Sequence, residues 1–133
     1  MKDRHLLLGV VALALANTAN AQIAGEYVSK DFLSGHATFR IEVRQTGRDV
    51  SVSFQGDYKN PDSAGPRGTG TGRTDGKRVA DFKFEDSCGN SGVGAVIRFG
   101  DRVSVHMKAK HIADFSCLIF YQNNLQLKPV DKK

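Results

Sequence analysis

Few residues of this chain have the type and spacing that chemistry requires. Past its first 21 residues it carries three histidines, His36, His106 and His111, and two cysteines, Cys88 and Cys117. No two of the histidines stand at i, i+2 or i, i+4, and both cysteines have a better use as a disulfide, so no metal site is expected. Carboxylates occur as Glu85-Asp86 and as the dispersed Asp57, Asp62, Asp101 and Asp114. Hydrolysis of a sugar chain needs two carboxylates facing across a cleft. The absence of Trp removes the commonest platform for a sugar ring. Gly68, Gly70 and Gly72 alternate with Thr69 and Thr71, but Arg73 and Asp75 fall where a dinucleotide or phosphate loop needs its third glycine. These residues point to no enzyme, no cofactor and no metal.

Cys88 and Cys117 are expected to bond. The bridge closes a loop of about 29 residues, which on the chain-entropy model stabilises the fold by about 3–4 kcal/mol. Disulfides persist in oxidising compartments, and the N-terminus agrees with that setting. Lys2 and Arg4 precede the apolar run Leu6 to Ala16, and Ala19-Asn20-Ala21 has the small-x-small pattern of a signal-peptidase site. The run is too short to span a bilayer core, which needs about 20 residues. Residues 1–21 thus read as a secretory signal peptide and 22–133 as one domain, periplasmic or secreted, with no membrane span. Without Lys2, Arg4 and Asp3, the 19 bases and 14 acids become 17 and 13, a net charge of +4. Basic residues are interspersed with acids, so nucleic acid is not an expected partner, whereas anionic envelope components are mildly favoured.

Any binding residues must be positioned by strands. Ala37, Phe39, Ile41 and Val43 alternate with Thr38, Arg40, Glu42 and Arg44. Val50, Val52 and Phe54, then Ala80, Phe82 and Phe84, then Val103, Val105, Met107 and Ala109 repeat the pattern. A period of two, with one apolar and one polar face, marks strands covering a core on one side. Gly47-Arg48-Asp49, Asp75-Gly76 and Gly100-Asp101 supply hairpin turns between the runs. About eight strands are expected, near 25–29, 36–46, 49–57, 67–74, 77–85, 92–99, 102–110 and 116–128. The fold class is all-β: a small antiparallel meander, a closed barrel or a two-sheet sandwich, with one disulfide. The bare face of the glycine-alternating strand marks a place where a bulky neighbour packs or the sheet curls.

Three short stretches resemble known families. Gly25-Glu26-Tyr27 is similar to the Gly-x-aromatic opening of lipocalin- and avidin-like barrels, with Tyr where those families usually have Trp. This resemblance implies a barrel. Ser34-Gly35-His36-Ala37-Thr38-Phe39-Arg40 resembles the Ser-Gly loop that bacterial periplasmic lysozyme inhibitors insert into the lysozyme cleft, which implies an inhibitory role. Gly89-Asn90-Ser91-Gly92 resembles the nucleophile loop of trypsin-like proteases, but one small domain cannot build the two barrels that assemble that triad.

The function expected is that of an exported binding domain acting by protein–protein contact, of inhibitor or immunity type against an envelope hydrolase. Loops on a rigid scaffold carry such contacts. Phe32, His36, Tyr58 and Arg67 are the candidate anchors in the loops 31–36 and 58–67, with a third loop at 86–91. Lys108 and Lys110 give one strand a basic outer face. Two other readings are a small-molecule carrier of lipocalin type and a module binding anionic wall polymer or headgroups.

Overall fold

The computed structural model describes residues 23–60 and 64–130. The segment read as a signal peptide lies outside them, as does Asp62. Eight antiparallel strands follow one another around a closed barrel: β1 (Gly25–Asp31), β2 (Ala37–Thr46), β3 (Asp49–Tyr58), β4 (Ala64–Thr74), β5 (Val79–Asp86), β6 (Ser91–Phe99), β7 (Arg102–His111) and β8 (Leu125–Pro129). Of the two expected architectures, the barrel is the one formed. β8 closes it against β1 through the pairs Tyr27 with Pro129 and Val28 with Lys128. Closure leaves no open edge for another chain to extend.

Two segments differ from the sequence reading. Residues 116–128 do not form one strand: Phe115–Phe120 is a 3-10 helix and β8 begins only at Leu125. Asp114 caps the helix by accepting from the Ser116 N–H at 2.9 Å. Cys117 and Phe120, three residues apart, both turn inward, a spacing that a strand cannot place on one face. The connection between β1 and β2 contains a single helical turn, Phe32–Gly35, in which Leu33 and Ser34 take left-handed φ values of 55° and 57°.

The alternating residues point as the pattern requires. Val103, Val105 and Met107 are buried with Phe39, Ile41, Val43, Val52 and Val96, while His106 is half-buried and Lys108 exposed on the outside. At the tight-hairpin end, the Asp75 carboxylate accepts from the N–H groups of Lys77, Arg78 and Val79 at 2.8–3.1 Å. These bonds hold its pKa below the ordinary carboxylate value.

The glycines of β4 and β6 have a packing explanation. Cross-strand pairing places Gly72 and Gly94 on either side of Phe82, and Gly70 and Gly92 on either side of Phe84. Gly68 lies opposite Phe54 of β3. A Cβ at Gly68 would sit 2.3 Å from the Phe54 ring, and one at Gly94 would sit 2.4 Å from the Phe82 ring. At Gly68 and Gly94 the missing side chain is the space a phenyl ring occupies, while at Gly70, Gly72 and Gly92 the carbonyls of Lys83, Asp81 and Lys108 come closest, so a small barrel is filled without overpacking. Gly94→Ala is therefore expected to lower stability by about 1–3 kcal/mol. Phe82→Leu in the same chain should recover part of that loss, because the two positions compete for one volume. Denaturant unfolding of the two single variants and the double variant reads the coupling directly.

Candidate functional site: the stapled end of the barrel

The two ends of the barrel differ. One is made of tight hairpins at 47–48, 75–78 and 100–101. The other gathers the Phe32–Gly35 turn, Lys59 and Asn60 after β3, the turn 87–90 and the 3-10 helix with its flanks. This end therefore holds two of the loops singled out in the sequence, 31–36 and 86–91, and a segment, 112–124, that was not; of the expected loop 58–67, Tyr58 closes β3 and 64–67 belong to β4.

The segment 112–124 has an inner and an outer side. Inward, Phe120 is 1% exposed and closes the mouth of the barrel. Its ring stacks on Phe32 at 5.3 Å, meets Tyr58 edge-on at 5.2 Å, and lies over the bare faces of Gly56 and Gly65. Tyr121 follows it in, with its ring against Phe84 at 5.1 Å and Phe54 at 6.0 Å. Outward, Phe115 is 75% exposed, Ile119 47% and Ile112 39%. Large exposed side chains of this kind, gathered in one segment, lose free energy to water and mark contact surfaces.

Polar bonds and a disulfide hold this segment in one conformation. The Asn90 Oδ1 accepts from the N–H groups of Ala113 and Asp114 at 2.7 and 3.0 Å, and its Nδ2 donates to the Asp114 carbonyl at 3.0 Å. Cys88 is bonded to Cys117 across the same gap. Asp86 braces the turn from below: its Oδ1 accepts from the Cys88 and Asn90 N–H groups, both at 2.8 Å, and its Oδ2 accepts from the Tyr121 hydroxyl. Asn90 is itself buried, so each of its bonds forms away from competing water. Asp114 is held below the ordinary carboxylate pKa by the hydroxyl and then the N–H of Ser116. The trypsin-like stretch Gly89–Gly92 is thus a turn that positions another segment, with Asn90 as its working residue.

Burial, and then the hydrogen bond and charge of Asp86, push the Tyr121 phenol far above its ordinary value of 10.0. Burial also raises Tyr27, against the opposing pull of Arg98. In the unfolded chain both phenols ionise near pH 10. Below that pH both states hold the protons and stability does not depend on them. Above it the folded state holds protons that the unfolded state has lost, so stability falls as pH rises. Denaturant midpoints measured between pH 8 and 11.5 should drop above pH 10. Tyr121→Phe should fall less steeply, although it is weaker at pH 8 for want of the Asp86 bond.

The expected anchors divide among these roles. Phe32 is 5% exposed and belongs to the core, a correction to its reading as a loop-tip anchor. Its bridge to Ala37 and its stacking on Phe120 draw it under the turn. Tyr58 is half-buried against Phe120. His36 is exposed at the rim, where its carbonyl accepts from the Lys59 N–H. Arg67 is exposed but lies within β4, which begins at Ala64, a correction to its reading as a loop residue; it pairs with Gln55 and stands 3.5 Å from Asp57. Lys108 and Lys110 stand apart, on the outer wall of β7. Phe115, Ile119 and Ile112 were missed because Ile119 lay inside the expected strand 116–128, and Phe115 and Ile112 lay in the stretch leading into it. The signals for the turn were Asp114 two residues before Ser116, and Phe115 four residues before Ile119.

Among the described residues, grooves run along the outside of the barrel wall, lined chiefly by residues of β2 to β7, with Glu26 of β1 in one and Asn123 in another. No family model, curated protein or solved structure matches this chain, so what the site does is inferred from its own geometry.

Proposed function

We propose that this protein is an exported binding domain that acts by protein–protein contact, in an inhibitor or immunity-type role against an envelope hydrolase. The observation that carries the reading is the two-sided segment 112–121. One side plugs the barrel, and the other holds Phe115 and Ile119 outward on a backbone fixed by Asn90, Asp86 and the disulfide. An aromatic anchor on a rigid support loses little entropy on binding, which is how small inhibitors reach high affinity. A protruding apolar ridge suits a concave partner surface such as the substrate cleft of an enzyme. The Ser34-Gly35 turn, with its left-handed backbone, stands on the same end of the barrel. The signal-like first 21 residues support export, and the disulfide is compatible with it. The carrier reading is the weaker one, because phenylalanine rings fill the interior and Phe120 closes its mouth.

Capture from an envelope extract tests the proposal, with the protein and its Phe115→Asp variant used side by side as bait. One stoichiometric protein retained by the former and lost by the latter is the expected outcome. A protein retained equally by both would move the contact off this segment.

A further inference from the structure

A second surface stands on the barrel wall, away from Phe115. The register of five strand pairs sets Arg44, Ser51, Thr71, Lys83, Val93 and Lys108 in one outward row across β2 to β7. Five strand steps make this row about 24 Å long. Beside it, about 6.8 Å away along the strands, runs the row Glu42, Ser53, Thr69, Glu85 and Ser91. Small side chains in the middle and long ones at the borders leave a groove of about 840 Å³, continued past Val93 by one of about 640 Å³.

Most polar groups here have no other employment, the pair Glu42 and Arg44 being the exception. Among the described residues, the hydroxyls of Ser51, Ser53, Thr69, Thr71 and Ser91 make no side-chain hydrogen bond. Lys83, Lys108 and Lys110 have no carboxylate within ion-pair distance among the described residues, whereas Arg44 is 3.5 Å from Glu42 and Arg73 is 4.0 Å from Asp49. Asp81 and Glu85 do not face Lys108, because Val93 and Ala95 of β6 stand between β5 and β7. The groove thus offers hydroxyls along its middle, ammonium groups around its β6 end and one small apolar contact at Val93.

We propose that this groove binds an anionic glycan: an extended sugar chain bearing carboxylate, sulfate or phosphate groups along one edge. Its hydroxyls match the serine and threonine hydroxyls, its charges match Lys83, Lys108 and Lys110, and a sugar's C–H face matches Val93. The carboxylates of Glu42 and Glu85 supply the discrimination. A lipid surface would press negative charge on both rows at once and be repelled by the second, whereas a chain lying along one row avoids it. Nucleic acid is disfavoured by the same row and by the absence of any outward aromatic on which a base could stack there.

The probes are a fluorescein-labelled oligogalacturonate and, as the neutral equivalent, maltohexaose, titrated with the protein by fluorescence anisotropy at 20 mM and 500 mM salt. Binding of oligogalacturonate alone, lost at high salt, is expected. Lys83→Gln/Lys108→Gln should weaken it by at least tenfold. Ser51→Ala/Thr71→Val, which leaves the charge intact, should weaken it by about fivefold. Lys30→Gln/Lys128→Gln, which removes the same charge from β1 and β8, should change it less than twofold. An equal loss in that last variant would reduce the binding to net charge and overturn the site. So would absence of binding, or equally tight binding of phosphatidylglycerol vesicles or oligothymidylate. Circular dichroism melts matching the unaltered protein establish that each variant is folded.

Discussion

Reduction of the Cys88–Cys117 bridge is expected to lower the unfolding free energy by about 3–4 kcal/mol. The bridge closes 29 residues of sequence, spanning β6, β7 and the turn between them. Cutting it restores that loop's freedom in the unfolded chain. A domain of this size has a total stability of about 5–15 kcal/mol, so the loss is a large share of it. The folded end should loosen as well. Without the bridge the 3-10 helix is held by Asn90, by the Asp114 cap and by the Phe120 plug. Guanidinium unfolding of the oxidised protein, the reduced protein and Cys88→Ser/Cys117→Ser should show the two thiol-bearing or thiol-free forms shifted together. Amide exchange should show 112–119 opening ahead of the strands. A shift under 1 kcal/mol would mean that the unfolded chain keeps these two segments together unaided.

Strand positions and inward faces were legible in the sequence because each strand carries its own period of two. Val103, Val105 and Met107 need no knowledge of their neighbours to be placed inside. The glycines are different. Gly94 and Phe82 are 12 residues apart and Gly68 and Phe54 are 14 apart, and their match appears only once the strands are in register. The stapled end was harder still. Phe115 to Phe120 is a short apolar run, and its division into buried and exposed halves depends on a 3-10 period anchored by Asn90 from 24 residues away. Phe32 misled for the same reason: its burial comes from Phe120, a partner 88 positions along the chain. The cross-strand neighbour of Lys108, Val93, likewise appears only once the strands are in register.

Phe115→Ala is expected to weaken binding of the captured partner by about 2–4 kcal/mol, a factor of about 30 to 1,000. The side chain is three-quarters exposed and makes little contact within the molecule, so its loss should leave stability within about 0.5 kcal/mol. That separation of binding from stability is the mark of an interface anchor. Ile119→Ala, at the shoulder of the ridge, should weaken binding by a smaller factor.

The most direct measurement is a calorimetric titration of the captured partner into the protein, Phe115→Ala and Phe99→Ala. Phe99 is 38% exposed but lies at the opposite, tight-hairpin end of the barrel. The expected result is a loss of at least about 30-fold for Phe115→Ala and a change of less than about twofold for Phe99→Ala. Equal affinity across all three proteins, or a greater loss at Phe99, would contradict the assignment of the stapled end as the contact surface.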